Sequence, residues 1–177
     1  MNTSMTLEPR VAAILGALVA DAAALGLHWL YDPERIAHIE KTKGLVFLQP
    51  DAHDYAGVSG YFAHGNKQAG DSSAYGELCH LMLRHIARHG KFYRVDYQSE
   101  YRSYFGPGGG YQGYIDSPTR LTLQTLLPLK PEDFPLQSGA DDDQFAALAA
   151  LPALVAAHHE SPDALNAKIE QAVRLTN

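Results

Sequence analysis

Apolar side chains recur at helical spacing through most of this sequence. The clearest stripe follows Ser73, where apolar residues fall three and four positions apart and therefore share one helix face. No segment of useful length alternates between apolar and polar residues as a half-buried strand does. The pattern predicts an all-α fold in a single domain over residues 1–177. The residues of the stripe are Tyr75, Leu78, Cys79, Met82, Leu83 and Ile86.

Capping residues predict where several helices begin and end. Asp32, Ser117 and Ser161 each precede a proline, as an N-cap residue precedes a proline in the first turn of a helix. The striped helix is expected over residues 73–89, because basic residues fill its last turns and Gly90 follows as a breaker. These signals divide the chain into helices joined by loops.

The segment from Val11 to Leu25 is apolar almost all round, which predicts a buried central helix. Its length and apolarity are also typical of a membrane span. However, Asp21 lies in its middle, and its many alanines make it only weakly apolar. We therefore expect a core helix and no membrane partner.

Composition and charge exclude several classes of protein. Hydrophobic residues make up 46% of the chain and charged residues 19%, which indicates a globular protein. The net charge is −6 and no basic run stands out, so nucleic acid is not an expected partner. Cys79 is the single cysteine, and the N-terminus has no signal-peptide pattern, so we expect a cytoplasmic protein.

The stretch Asn66–Glu77 places one acid and two hydroxyls where a glycine turn meets a helix. Asp71, Ser72 and Ser73 could form an N-cap cluster, because their oxygens accept hydrogen bonds from the free N–H groups of a first helical turn. The alternative, which the sequence alone favours less, is that they supply oxygen ligands to a hard cation such as Mg²⁺. One carboxylate makes a weak metal site, so the second interpretation requires partners from elsewhere in the chain.

Three further features could carry chemistry. Asp21 has no polar partner within its own helix, so it is either a satisfied core acid or part of a site. The glycine-rich loop Gly106–Tyr114 could turn backbone N–H groups toward an anion, or be a plain loop. The acids of Gly139–Gln144 could favour the start of a helix or bind a substrate hydroxyl. Trp29 beside His28 could be ordinary core packing, or could line a pocket for a base or a sugar.

Five collinear stretches resemble the ADP-ribosylglycohydrolase superfamily, and more narrowly its branch of J-type lens crystallins and selenoprotein J. Together they cover nearly the whole chain. The resemblance implies an all-α domain with a metal-centred cleft. The stretches are "GALVADAAALGLHWLYD", "GDSSAYGE", "GGGYQGYIDSPTRLTL", "GADDDQFAALAALPALVAA" and "IEQAVRLTN".

The resemblance implies a role for each of these segments. Members of the family hydrolyse bonds to ADP-ribose with Mg²⁺ or Mn²⁺, and their first metal motif is Thr-Asp-Asp-Thr. In this chain that motif falls on residues 70–73, where Ser72 replaces the second acid. The implied catalytic residues are Asp71 and Asp21, and the implied metal ligands are Asp71, Ser72 and Ser73. The implied substrate-binding residues are Gly108, Gly109, Gly110, Tyr111, Asp141 and Asp142.

The family's second metal motif, Asp-x-Asp-Thr, has no counterpart before Asn177, so the family domain is expected to be incomplete at its C-terminus. We therefore expect weak or absent hydrolysis of ADP-ribosyl compounds and low metal occupancy. The alternative is a non-catalytic, crystallin-like structural or binding protein. Uncovered apolar surface on the first helix and on Leu165, Ile169 and Val173 would favour a homo-oligomer or a C-terminal fragment bound in trans.

Overall fold

The computed structural model describes residues 8–177, which form seven α-helices and four short 3-10 helices. Within this range no strand forms, and Leu30 and Gly60 make one isolated antiparallel bridge. The all-α prediction is confirmed. The α-helices are α1 (Pro9–Ala24), α2 (Pro33–Lys43), α3 (Ala74–His89), α4 (Arg94–Phe105), α5 (Ser117–Leu126), α6 (Leu151–Ala156) and α7 (Pro162–Val173), and the 3-10 helices span Leu25–Leu27, Ala52–Tyr55, Pro131–Asp133 and Phe145–Ala150.

Helix α3 is the centre of the core, where it packs against α1, α4, α6 and the 3-10 helix Phe145–Ala150. Its predicted stripe is confirmed, because four of the six stripe residues are buried and the other two are half-buried. Burial also extends to Leu81 and His85 on the neighbouring side of the helix. Because four elements pack around α3, the position of its N-terminal residues is fixed relative to α1 and α6.

Helix α1 is not the buried central helix that its apolarity predicts. None of its residues is buried, and Val11, Leu15 and Val19 are 45%, 43% and 53% exposed. One side contacts α3 and α6, with Ala17 and Leu18 packed against the core, and the other side faces solvent. Residues Pro9–Leu27 are long and apolar enough to cross a membrane, a test that core helices of soluble proteins also pass. The prediction was wrong because uniform apolarity does not say which side a neighbour covers.

The start signals were correct for two helices and wrong for one. Asp32 caps α2 and Ser161 caps α7, each accepting a backbone N–H bond. For α5 the cap is Asp116 rather than Ser117, because the Asp116 carboxylate accepts from the N–H of Thr119 at 2.8 Å. Ser117 is therefore the first residue of that helix.

The C-terminal stripe is better covered than expected. Leu165, Ile169 and Val173 are half-buried rather than exposed, and Leu175 beyond them is almost fully buried. The chain after α7 is also tied to the loop that precedes Phe145–Ala150, since backbone atoms of residues 138–140 bond to residues 174 and 176. The C-terminal stripe is therefore largely covered, whereas α1 keeps a row of apolar side chains in solvent.

Candidate functional site

A hydrogen-bonded junction joins α1 to the N-terminus of α3. Asp21 Oδ2 accepts from the N–H of Ser73 at 2.8 Å, and Asp21 Oδ1 accepts from the Ser73 hydroxyl. The same hydroxyl accepts from the N–H of Tyr75 at 3.0 Å, which makes Ser73 the N-cap of α3. The carboxylate lies directly against Gly76, where an added Cβ would stand 2.8 Å from Asp21 Cγ. The two oxygens of Asp21 therefore serve as anchors for the start of α3.

Asp71 does not join this junction. Its side chain is exposed, and Oδ2 accepts from the N–H of Gln68 at 2.8 Å to close its own turn. Ser72 is half-buried beside Gly76. A magnesium shell requires oxygens that converge on one point. As arranged here, Asp71 points into its turn and Ser73 is engaged by Asp21, so these side chains do not fit such a shell. Their metal role, and the catalytic roles of Asp71 and Asp21, stay predictions.

A cleft opens beside the junction, and we call it the Tyr75 cleft. It consists of two grooves, of about 440 and 690 Å³, that share His28 and Tyr75 in their walls. The first groove reaches Asp21 and Ser73, and the second reaches Phe145, whose side chain is 81% exposed. A cleft of this size with aromatic walls and a few polar groups is typical of a small-molecule site.

Two histidines meet where His28 forms part of the cleft wall and His64 lies behind it. His28 Nδ1 and His64 Nε2 lie 2.8 Å apart, and His64 is only 3% exposed. Burial, helped by the neighbouring His28, lowers the pKa of His64 to about 4. Burial also lowers the pKa of His28, although the Asp116 carboxylate opposes that effect. Both rings are therefore neutral near pH 7, and one donates its proton to the other.

Asp116 places a buried carboxylate behind the same wall. It is 3% exposed, and its Oδ1 is used as the cap of α5. Its Oδ2 has no hydrogen-bond partner among residues 8–177, nor has Nδ1 of His64. Both side chains line a cavity of about 10 Å³ together with His28 and Tyr75. Burial, with a contribution from Asp116, also raises the pKa of the Tyr75 hydroxyl, so that group stays protonated.

The glycine-rich loop uses part of its backbone internally. The N–H of Gly109 donates to Gly106 and the N–H of Tyr111 donates to Tyr104, at 2.9 and 3.0 Å. Gly108 has a positive φ of 74°, and Gly108 and Gly110 are exposed. Because two of its backbone N–H groups are already hydrogen-bonded, the loop has fewer free N–H groups to bind an anion than its run of glycines suggests.

Tyr111 is the member of this loop that approaches the junction. Its ring is buried, its hydroxyl donates to the carbonyl of Tyr114 at 2.9 Å, and Lys67 lies 4.8 Å from its ring centre. Burial raises the pKa of Tyr111, and the charges of Asp21 and Glu77 raise it further. The hydroxyl of Tyr111 is therefore influenced by the charges of the acids on α1 and α3, while its hydrogen bond stays within its own loop.

Asp141 and Asp142 do not line the Tyr75 cleft. Asp141 is exposed, and Asp142 caps its own turn by accepting from the N–H of Gln144 at 2.8 Å. Their neighbours Asp143 and Gln144 line the larger groove instead. The substrate-binding roles of Asp141, Asp142 and residues 108–111 stay predictions.

Sequence reasoning missed two residues of this site. His64 lies in a long loop without periodicity, so nothing in the local pattern connects it to His28. Asp116 stands before Ser-Pro, and its capping role was assigned to the serine that follows it. An acid two positions before a proline at a helix start was the one available signal.

A second cluster lies where the C-terminal end of α3 meets α4. His85, His89 and Glu100 each place a ligand atom within 4.8 Å of the others, close enough to hold a metal ion. However, the N–H of Tyr93 donates to His85 Nε2 at 3.0 Å, so the ring proton is on Nδ1, which donates to Glu100. Nδ1 then has no lone pair for a metal. Arg88 also competes for Glu100 at 2.7 Å.

Electrostatics at this cluster agree with a hydrogen-bonded joint. Burial alone would raise the pKa of Glu100, but bonds from His89 and His85 and the charge of Arg88 outweigh it and lower the pKa. Burial lowers the pKa of His85, with Glu100 opposing. We therefore interpret the cluster as a joint between α3 and α4 around one carboxylate.

Comparison with known proteins gives one family and two relatives. The model of the ADP-ribosylglycohydrolase family matches residues 3–177. Crystallin J1A of Tripedalia cystophora is 30% identical over 184 residues, which cover 99% of this chain and 54% of that protein. Crystallin J1B of the same organism is 28% identical over 184 residues, which again cover 99% of this chain and 54% of that protein. The chain thus spans about half the length of these relatives. No solved structure matches it significantly.

Proposed function

Because the chain belongs to the ADP-ribosylglycohydrolase family, we propose that it binds an ADP-ribosyl compound in the Tyr75 cleft and hydrolyses it weakly or not at all. The cleft supports the binding part, since its aromatic walls and the polar groups of Asp21, Ser73 and Gln144 suit a ligand with flat rings and hydroxyls. The sequence supports the second part, because Ser72 replaces an acid of the family's first metal motif.

The observation that carries the proposal is the bonding of Ser73 to Asp21. A two-metal hydrolysis requires carboxylates that clamp the ions from both sides. Here both carboxylate oxygens of Asp21 accept hydrogen bonds from Ser73, and the carboxylate of Asp71 accepts one from the N–H of Gln68. Neither carboxylate is directed at a common metal. We therefore expect Mg²⁺ or Mn²⁺ to bind with low occupancy and add little to the affinity for ADP-ribose.

Calorimetry with ADP-ribose tests the binding part. We expect saturable binding that is nearly the same with and without Mg²⁺. Phe145→Ala should weaken this binding at least fivefold, because the exposed ring forms a wall of the cleft. Tyr93→Ala is the matched control, since it removes an exposed aromatic ring outside the cleft. Equal affinities for both variants would overturn the location of the site.

An activity assay on ADP-ribosylated protein tests the second part. We expect turnover near the uncatalysed background with either metal. Robust turnover that is lost in Asp71→Ala would show that the chain is an active hydrolase and that Asp71 has its family role.

The names of the two relatives favour a second candidate, a non-catalytic crystallin-like protein. In that case the fold is kept for structural purposes and the cleft binds no ADP-ribosyl compound. The calorimetry separates the two candidates, because saturable binding is expected only for the first. In both candidates we propose a cytoplasmic location, since the single Cys79 forms no disulfide within the chain.

The uncovered stripe of α1 supports a proposal about partners. Val11, Leu15 and Val19 form a row at four-residue spacing, and the relatives are about twice as long as this chain. We propose that a second copy of the chain, or a C-terminal fragment in trans, covers this row. Light scattering should show a dimer or larger species for the chain alone. Leu15→Glu should dissociate it, whereas Glu132→Lys, a charge change on an exposed residue elsewhere, should not.

A further inference from the structure

A cavity of about 250 Å³ lies on the side of α3 and α4 away from the residues of the Tyr75 cleft. It is lined by side chains of these two helices alone, and none of them lines the Tyr75 cleft. Its floor is apolar, and its walls carry two guanidinium groups, a hydroxyl, a phenol ring and a carboxylate. The lining residues are Leu81, Arg84, Arg88, Glu100, Ser103 and Tyr104.

Arg84 is the unusual member of this set. Its Nη2 atom is fully buried and has no hydrogen-bond acceptor among residues 8–177. The guanidinium carbon lies 4.8 Å from the ring centre of Tyr104, and the hydroxyl of that tyrosine is directed to Glu77. An aromatic face is a weaker partner for a guanidinium N–H than an anionic oxygen. Nη2 itself is closed off from solvent, so a ligand in the cavity meets the remaining N–H groups of Arg84, which form no ion pair with residues 8–177.

The charges around the cavity do not supply that acceptor. Glu100 is the one carboxylate in the wall, and its oxygens already accept from Arg88, His85 and His89. The negative charge of Glu100 is therefore already neutralised by these three side chains and is not directed at Arg84. Arg84 forms no ion pair with residues 8–177, although Glu77 and Arg84 both act on the hydroxyl of Tyr104. The side chain of Arg88 is 63% exposed and can turn one of its remaining N–H groups inward.

We propose that this cavity is a binding site for a small oxyanion, and that a phosphate group fits it best. Phosphate offers several acceptor oxygens and matches the fork of donors on a guanidinium group. Arg84 would be the principal donor, with Arg88 and the exposed hydroxyl of Ser103 at the rim. The site is independent of the proposed function, because its residues belong to a different part of α3.

Titration with inorganic phosphate at constant ionic strength tests the proposal. Calorimetry should show saturable binding, and the melting temperature should rise with phosphate more than with chloride. Arg84→Gln should weaken binding at least tenfold. Arg174→Gln is the matched control, because that arginine pairs with Glu170 on α7 and should leave binding unchanged.

A second variant keeps the test decisive if Arg84→Gln does not fold. Ser103→Asp places a negative charge at the rim from an exposed position, so it should abolish phosphate binding without disturbing the core. Acetate and citrate, titrated in parallel, distinguish a phosphate site from a carboxylate site, and tighter binding of either would assign the site to carboxylates. No saturable binding of any of these anions, or unchanged phosphate binding in Ser103→Asp, would overturn the site. The ring of Tyr104 would then be the full partner of Arg84.

Discussion

At the residue scale, the junction between α1 and α3 depends on a position without a side chain. Gly76 lies in the first turn of α3, where the carboxylate of Asp21 leaves no room for a Cβ. A glycine in a helix normally costs stability relative to alanine. At this position, however, the close approach of α1 to the start of α3 requires it.

Replacing two helical glycines with alanine separates the general cost of glycine in a helix from the close contact at Gly76. Gly76→Ala should destabilise the protein by about 1–3 kcal/mol, because Asp21 must move and its bonds to Ser73 must weaken. Gly16→Ala should stabilise it by about 0.5–1 kcal/mol, since nothing lies within 4 Å of the added methyl group. Urea unfolding measures both changes. A neutral or stabilising Gly76→Ala would contradict the close contact described for Asp21.

The buried pair of His28 and His64 predicts a pH dependence of stability. The pKa of His64 is lowered to about 4 in the folded chain, below its ordinary value. The unfolded chain therefore binds the proton first as pH falls, and stability that is present above about pH 6.5 is lost between about pH 6.5 and 4. We expect a loss of roughly 1–2 kcal/mol in unfolding free energy from pH 7 to pH 5.

Two variants assign this pH dependence. His64→Gln should flatten the decline in unfolding free energy, because it removes the group that titrates. His38→Gln should leave the decline unchanged, since His38 is exposed. An identical pH profile for the two variants would show that another group is responsible.

At the element scale, α3 and α4 are joined by Glu100. Its carboxylate accepts from Arg88, His85 and His89 of α3, so one side chain of α4 binds a whole turn of its neighbour. Charge-assisted bonds of this kind are stronger than neutral ones. The buried ring of His85 makes their loss more costly, because its Nδ1–H has no water to replace the carboxylate.

Glu100→Gln should lower the unfolding free energy by about 1–3 kcal/mol, since it removes the charge that three donors share. Glu132→Gln, on an exposed acid without side-chain bonds, should change it by less than about 0.5 kcal/mol. Chemical denaturation measures both. Zinc should add little stability to the unmodified chain, and a large rise in melting temperature with zinc would instead show that the three ligand groups hold a metal.

The limits of sequence reasoning also appear at this scale. The caps of α2 and α7 could be predicted because the bonds that make them join residues three positions apart. The position of α1 could not, because its apolar residues do not record which neighbours are present. The same holds for the site. Ser73 was identified from its local motif, whereas the contact of His64 with His28, and the small cavity that both share with Asp116, involve distant parts of the chain.

At the scale of the whole molecule, the segment that follows α7 is packed into the core. Leu175 is 1% exposed, and its carbonyl accepts from the hydroxyls of Thr122 and Ser138. The segment after α7 thereby ties α5 to the loop that leads into the 3-10 helix beside α3. This segment carries a core side chain and several buried hydrogen bonds.

Leu175→Ala should therefore destabilise the protein by about 2–5 kcal/mol, as expected for a buried leucine. The matched change Leu136→Ala removes the same atoms from a side chain that is 73% exposed, and should cost less than about 0.5 kcal/mol. Thermal unfolding compares the two variants. Similar melting temperatures would show that the end of the chain adds little to the core.

Trp29 has a consequence for how this protein can be studied. It is the single tryptophan of the chain, and it lies within 4.2 Å of His28 and 5.0 Å of Tyr114, measured between ring centres. Its fluorescence therefore originates from one place, the wall of the Tyr75 cleft. An indole next to two histidines is sensitive to their protonation and to any ring that stacks on it. The emission spectrum of the unmodified chain thus provides a built-in optical probe of ligand entry and of acidification.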